Sequence, residues 1–370
     1  MLNVALLEPF WGGSHRAVAQ GWAARSAHRI RTYTLPARFW KWRMRGAALD
    51  LARRLRADLD GTDVLFVSGL MDLAHLAALL PRRVPSVLYL HENQLAYPAR
   101  PGEEPPERDL QFAFTNLASA LAADRVAFNS AFQRGAFLAE LERLLRRMPD
   151  ARPLWAVDEI DRKSEVLHPG VLLEDVPEPS ARGEGPPVIL WNHRWEHDKD
   201  PEAFFRVLGA LAGEGVPFRV AVAGESFGRV PAVFRQARER LAGRVVHWGY
   251  VPLRRSYVDL LARCHIVVST ARQENFGLSI VEAAYAGAHP LVPARLAYPE
   301  VLPDRFHGAC LYRDEADLAT RLKRLLTGAQ RPVPPLELRR EMARYGWSRR
   351  APAFDDVVRQ VSGSAGLCYK

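Results

Sequence analysis

The segment Glu274-Asn-Phe-Gly-Leu-Ser-Ile-Val-Glu282 holds two carboxylates eight residues apart, on either side of a glycine. The run before it, Cys264-His-Ile-Val-Val-Ser-Thr270, has the apolar, β-branched character of a short buried strand, and 277–286 has the composition of a helix. The first turn of such a helix presents N–H groups without intrahelical partners, which attract phosphate. Carboxylates are poor phosphate ligands but good acceptors for sugar hydroxyls. Glu274 stands in the loop, and Glu282 lies a turn or more inside, with its side chain leaning back toward the N-terminus. The pair therefore suits a ligand that runs sugar, diphosphate, ribose.

A second phrase supplies opposite charge. In Trp191-Asn-His-Arg-Trp-Glu-His-Asp-Lys199, Arg194 and Lys199 follow a strand-like run and precede a helix opened by Asp200-Pro201. They can converge on a diphosphate, Arg as a planar fork and Lys as a point charge. The phrase also spells H-x-x-E-H through His193, Glu196 and His197. That zinc pattern needs a continuous helix and a further ligand downstream, and neither is evident, so no metal is expected. Gly224, in Ala223-Gly-Glu-Ser-Phe227, leaves room for a ligand to approach. Tyr250, in Trp248-Gly-Tyr-Val-Pro252, stands where backbone groups can edge a base.

The first half has its own polar loops. In Glu8-Pro-Phe-Trp-Gly-Gly-Ser-His15, Gly12 and Gly13 let backbone approach a ligand and Ser14 can cap the next helix. This is neither G-x-G-x-x-G nor a Walker loop. Directly after the apolar run 86–90 come His91, Glu92, Asn93 and Gln94, which can hydrogen-bond a polyhydroxylated substrate. His91 can also exchange protons near neutral pH.

Loops of this kind need parallel sheets to hold them. Apolar runs at 2–7, 63–68, 86–90, 125–129 and 164–168 alternate with helical stretches at 14–27, 108–123 and up to 147. The alternation restarts at 188–191, 218–223, 245–248 and 266–270. The class is α/β: two Rossmann-like doubly wound domains facing across a cleft. The expected layout is a domain over 1–173, a proline-rich acidic linker over 174–187, a second domain over 188–335, and a helical tail over 336–370 packing back on the first domain. The tail pattern breaks at Pro352.

Composition is that of an ordinary globular protein, 48% hydrophobic and 25% charged. No run is long and apolar enough for a membrane span, 1–10 has no leader character, and Cys264, Cys310 and Cys368 are not grouped. A reducing cytoplasm is expected. The net charge of +9 is uneven: residues 1–56 carry eleven Lys and Arg against Glu8 and Asp50. Aromatics interleave them at Phe39-Trp-Lys-Trp-Arg-Met-Arg45, a mixture that can hold nucleic acid or, as an amphipathic helix over 40–56, a lipid surface.

With Arg194, Lys199, Glu274, Phe276, Gly277 and Glu282 assembled, the second half resembles the family-4 retaining glycosyltransferases of GT-B fold, which carry E-x7-E and an upstream Arg/Lys pair. The resemblance implies that Arg194 and Lys199 hold the donor diphosphate, Glu282 the ribose and Glu274 the sugar, with the backbone of Phe276, Gly277 and Leu278 facing sugar or phosphate. Whole phrases in both halves (Leu-Leu-Glu-Pro-Phe-Trp-Gly-Gly-Ser-His15, His-Glu-Asn-Gln-Leu-Ala-Tyr-Pro98 and the one ending at Lys199) are similar to the glycosyltransferase-like domain-containing family, whose animal members are tRNA-queuosine mannosyltransferases. That likeness implies GDP-mannose as donor, no cofactor, and the cyclopentenediol of queuosine in tRNA-Asp as acceptor. His15, Glu92, Asn93 and Gln94 would then face the acceptor, Gly12, Gly13, Gly224 and Tyr250 the donor, and His91 the reacting sugar. A lipid or small-glycoside acceptor, and a non-catalytic RNA-binding role, are the alternatives.

Overall fold

The computed structural model describes residues 1–92, 94–95, 108–180, 182–226 and 230–364. The chain divides into two units, one of Met1–Val171 with Trp347 onward, the other of Leu172–Gly346.

The first unit is built on six parallel strands: β1 (Asn3–Trp11), β2 (Arg29–Pro36), β3 (Val64–Ser68), β4 (Ser86–Leu90), β5 (Arg125–Phe128) and β6 (Ser164–Val166). Their order is β2-β1-β3-β4-β5-β6. The central strands are buried along their whole length, as parallel strands covered on both faces must be. Alternate residues serve opposite faces: Leu65 and Val67 join Leu51 and Leu55 of one helix layer, while Val64 and Phe66 join Val18, Trp22 and Phe354 of the other. The chain moves outward from β1 to β2, then crosses to β3 on the other side. Loops leaving β1 and β3 therefore diverge, which opens a crevice at the carboxyl ends of the strands.

The second unit repeats the plan with β7 (Val188–Trp191), β8 (Arg219–Ala223), β9 (Val245–Gly249), β10 (Ile266–Val268), β11 (His289–Pro293) and β12 (Leu311–Tyr312). The order is β12-β11-β10-β7-β8-β9, parallel throughout, so the switch here lies between β7 and β10.

Several expectations change. The edge strand β2, Arg29-Ile-Arg-Thr-Tyr-Thr-Leu-Pro, is hidden from pattern reading because half of it is polar and exposed. Proline in β11 and the two-residue length of β12 mask those strands. β1 runs on to Trp11 through an irregular register instead of ending at residue 7. The helix after it is Gly13–Ala23, and Gly12, not Ser14, holds its N-cap position without a side-chain cap. The stretch 174–187 is part of the second unit: Gly287 lies against Pro179, and Arg182 donates to the Ala286 carbonyl. The tail is divided. Helix Pro335–Met342 packs in the second unit, where Arg339 donates to the carbonyls of Val176 and Pro177. Helix Trp347–Ser364 belongs to the first unit and continues through Pro352 without breaking. Its apolar side, Trp347, Ala351, Phe354, Val357, Val358 and Val361, is buried in the second layer of the first core, which outweighs one lost hydrogen bond. Asp355 of this helix accepts from Trp22 Nε1 at 2.8 Å, Ser26 Oγ at 2.6 Å and the Ala27 amide at 2.8 Å. Helix Trp40–Leu55 turns its apolar face (Met44, Ala47, Ala48, Leu51, Leu55) inward, so that face cannot lie on a lipid surface. No helix of the described residues is long and apolar enough to cross a membrane.

Candidate active site

The richest cluster of charge lies at the β7/β10 switch point. Because these strands are neighbours, the loops leaving them meet and are stitched together. Thr270 Oγ1 donates toward the carbonyls of Lys199 (2.8 Å) and Asp200 (2.9 Å), and the Arg272 amide donates to the Asp198 carbonyl at 2.8 Å. Asp200 opens the next helix, accepting from the Ala203 amide at 3.3 Å, and its other oxygen pairs with Arg272 at 2.9 Å. This frame fixes Lys199, which is only 7% exposed. Its Nζ donates to the Gln273 carbonyl at 2.6 Å, Glu274 Oε2 at 3.3 Å and Asp198 Oδ2 at 3.2 Å. Burial opposes the charge on Lys199, but Glu274 and Asp198 outweigh it and raise its pKa. Burial likewise works against ionised Glu274, yet Lys199 and the Phe276 amide hold its carboxyl below the usual value. Both groups are therefore charged. One ammonium thus faces two carboxyl groups, those of Asp198 and Glu274.

Arg194 adds a second cation from outside. Its side chain is 45% exposed and lies 3.4 Å from Glu196, an ion pair that solvent weakens. His193, next to it, is buried, and desolvation with Lys199 nearby pushes its pKa down to about 4, so it is neutral. Among the described residues, His193 Nε2, Asn192 Oδ1 and Asp198 Oδ1 are buried without a hydrogen-bond partner. A ligand dense in hydroxyls and oxygens can satisfy such atoms.

The turn after Glu274 is shaped by Gly277, whose φ of 94° suits glycine, and a Cβ there would come within 3.1 Å of the Tyr298 ring. Glu274 Oε1 accepts from the Gly277 amide at 3.1 Å and from Phe276 at 3.4 Å. These two amides are thus committed to a carboxylate, and the expectation that they face the donor changes. The open donors are Leu278 and Ser279, the first two amides of helix Leu278–Tyr285, for which the described residues supply no acceptor. The Phe276 ring is buried against Tyr345 instead of facing a ligand. Four residues into the helix, Glu282 pairs with Arg254 and accepts from Tyr257 at 3.2 Å. Arg254 is itself clamped by Asp175 at 2.8 Å. Burial raises the Glu282 pKa, against the opposing pull of Arg254.

Two expected donor residues do not join this cluster. A Cβ on Gly224 would sit 1.8 Å from the His193 carbonyl, so its small size lets the β7 and β8 loops touch. Tyr250 follows edge strand β9, is exposed, and has no hydrogen bond or ring contact with the cluster among the described residues. Phe227 of the Gly224 loop lies outside the described residues. The zinc pattern also dissolves: His193 lies in the loop after β7, His197 begins a single 3-10 turn, and the two do not gather with Glu196 into a ligand set.

The first unit holds a different arrangement at its own switch point. Glu8, near the end of β1, is 1% exposed. Its Oε1 accepts from the Phe10 amide at 2.9 Å, and its Oε2 lies 3.0 Å from His15 Nδ1 and 3.7 Å from His91 Nε2. The two imidazoles are 4.1 Å apart, centre to centre. Burial, then the neighbouring His15, drives the His91 pKa well below its ordinary value. These three side chains offer ligand atoms within 4.8 Å of one another, the one His/carboxylate group among the described residues spaced to hold a metal. His91 is anchored by its carbonyl, which accepts from Asn129 Nδ2 at 2.8 Å. Gln94 bonds Asn116 through its amide and Glu92 through its side chain, at 3.1 and 3.5 Å. Asn93 lies outside the described residues. Gly12 approaches Ala37 so closely that a Cβ would meet it at 2.5 Å, so packing accounts for it; Gly13, at φ 50° with open space around it, keeps the freedom expected of a ligand loop.

Residue patterns miss Glu8, His193, Asp198, Arg254 and Tyr257. A glutamate ending an apolar run is the one visible hint for Glu8. The others matter only through tertiary neighbours.

Comparison with known proteins gives this geometry a context. Residues 3–171 match the model of the tRNA-queuosine alpha-mannosyltransferase N-terminal family, and residues 174–349 that of glycosyl transferases group 1. The tRNA-queuosine alpha-mannosyltransferase of Drosophila melanogaster is 36% identical over 313 residues, 81% of this chain and 82% of the relative. Among solved structures, a glycosyltransferase from Rickettsia africae superposes with a TM-score of 0.71 at 12% identity, covering 100% of this chain and 99% of that one. Anabaena HepE, in complex with UDP and glucose, gives 0.69 at 13% identity, covering 97% of this chain and 100% of that one. At such identity these likenesses speak to the fold, which is the GT-B architecture of paired six-stranded parallel sheets. With both halves matched in order and a relative this similar along most of its length, the chain belongs to the tRNA-queuosine alpha-mannosyltransferase family.

Proposed function

We propose that this hexosyltransferase moves mannose from GDP-mannose to the cyclopentenediol of queuosine in tRNA-Asp, in the cytoplasm, with retention of configuration and without a metal ion. The observation that carries the reading is the match of both halves, in order, to a family whose fly member is named for mannosyl transfer to tRNA queuosine.

The second unit takes the donor. Arg194 and Lys199 neutralise the diphosphate, and the Leu278 and Ser279 amides receive a phosphate oxygen at the positive end of their helix. Lys199 already balances Glu274 and Asp198, so exposed Arg194 carries the larger share of the developing charge. Glu282 takes the ribose hydroxyls, and Glu274 those of the mannose. In the transfer the acceptor oxygen bonds to the anomeric carbon as the bond from that carbon to the diphosphate oxygen breaks. The acceptor proton passes to the departing oxygen. Both oxygens of Glu274 are already bound, by Lys199 and by backbone amides, which argues against a covalent glycosyl intermediate on it and for front-face attack. The first unit takes the acceptor: His15, Glu92, Asn93 and Gln94 hydrogen-bond the diol, Gly13 lets backbone approach, and His91, neutral, orients the sugar.

The test is incubation with GDP-mannose and tRNA that carries or lacks queuosine, followed by mass spectrometry of the nucleosides. One added hexose on queuosine alone is the expected result. Hexose on tRNA without queuosine, or none with any nucleotide sugar, overturns the reading.

A further inference from the structure

The basic segment of the first unit forms a defined surface. After edge strand β2 the chain enters helix Trp40–Leu55 through Phe39, whose φ of 54° is a left-handed conformation unfavourable to any side chain. From there the aromatics divide. Trp40 packs inward on Phe112, 5.3 Å away, beside Met44 and Leu70. Phe39 and Trp42 point outward, 68% and 75% exposed, and are among the most exposed large apolar side chains of the chain. One turn on from Trp42 come Arg45 and then Leu49, both exposed. Arg38 lies over the exposed Phe39 ring at 5.9 Å, while Lys41 lies over the inward Trp40 at 5.5 Å and Arg45 over Phe112 at 5.3 Å, so the three cations border the exposed pair. No acidic residue occurs between Glu8 and Asp50.

We propose that Phe39 and Trp42, flanked by Arg38, Lys41 and Arg45, form a docking surface for RNA with unpaired bases, the rings stacking on bases and the cations holding phosphates. The inference rests on the tRNA reading above and adds the place where the RNA is held. Flat exposed rings between cations match a polyanion that displays flat faces. A lipid surface fits less well. An interfacial helix sinks a continuous apolar face, whereas this one buries its apolar face in its own core and alternates Trp42, Arg45, Leu49 and Arg53 outside.

The experiment compares the full chain with Phe39→Ala/Trp42→Ala, Trp42→Phe and Arg38→Ala/Lys41→Ala/Arg45→Ala. Both rings are exposed, so the double variant keeps the wild-type melting temperature and its affinity for GDP. The expected results are a rise in KM for tRNA of about tenfold to a hundredfold in the double variant, with kcat little changed, and near-normal KM in Trp42→Phe. In the triple variant the slope of log affinity against log salt shrinks by about 2. A wild-type KM in the double variant overturns the inference while leaving the tRNA reading intact. Failure of the wild-type chain to modify any tRNA sinks the parent reading first. Binding of the wild-type chain to phosphatidylserine vesicles, lost in the double variant with tRNA KM unchanged, assigns the surface to a membrane instead.

Discussion

The two switch points of this molecule share a topology and differ in chemistry. At β7/β10 a buried ammonium, two carboxyl groups and a nearby guanidinium make a cluster of charged side chains. At β1/β3 one buried carboxylate faces two adjoining, mutually tilted imidazoles, of which His91 is held neutral. The strand orders explain how both can exist. In each sheet the strand order reverses at this point, so the loops on either side deliver side chains to the carboxyl ends whatever their type. The types fit the work proposed for each: a departing diphosphate needs fixed charge, whereas a neutral polyol needs oriented hydrogen-bonding groups.

The largest expected effect breaks the charged member. Glu274→Ala removes an ionic partner of buried Lys199 and the acceptor for two amides. We expect turnover to fall by about a thousandfold or more, and stability by about 3 kcal/mol, because an ammonium is left buried with less compensation. Arg194→Ala is the sharpening control. Its side chain lies at the surface, so the melting temperature holds while turnover falls by about a hundredfold to a thousandfold. Steady-state transfer and thermal melts on both variants check this. Near-normal turnover in Arg194→Ala would return the main role to Lys199.

Much of the charged site was legible before any coordinates, and the reason is local. Arg194, Lys199, Glu274 and Glu282 lie in two short phrases, each next to a strand whose buried apolar run is plain. What stayed hidden depends on neighbours distant in sequence. Glu8 and His91 are 83 positions apart along the chain and meet only because β1 and β4 flank β3. Arg254 reaches Glu282 from another helix. Gly12 and Gly224 each have a packing reason to be glycine, and a glycine that admits a ligand and one that admits a neighbouring loop look alike in sequence. The fold was read well in its buried central strands and poorly at edges, where β2 is half polar and β12 has two residues.

A middle-sized effect extends the comparison to pH. His91 at the first switch point and His193 at the second are both held neutral by burial, and structural His289 likewise has its pKa pushed down to about 4. Each folded pKa lies below the unfolded value of about 6.5. The unfolded chain therefore binds more protons as pH falls, and stability is full above about pH 6.5 and lost progressively below it. Between pH 7 and pH 5 the loss is about 2 kcal/mol for each such imidazole. Thermal melts across that range check it. His193→Gln should flatten the pH dependence of the second unit by one such step, and an unchanged slope would mean that His193 is protonated in the fold.

The smallest expected effect is none, and it separates the two switch points most sharply. At β7/β10 the cations are side chains, Arg194 and Lys199, and the proposed reaction draws on them instead of a metal. At β1/β3, Glu8, His15 and His91 are spaced as a divalent cation would want them, with a neutral imidazole and a carboxylate among the donors. The Phe10 amide on Oε1 and His15 on Oε2 already satisfy Glu8, which favours a hydrogen-bonded triad over a ligand set. Dialysis against EDTA should therefore leave both transfer and melting temperature unchanged. If EDTA abolishes transfer and zinc restores it in the wild type but not in His15→Ala, the first switch point is a metal centre. The contrast would then run between two charged sites, one whose cations are side chains and one whose cation is a bound ion.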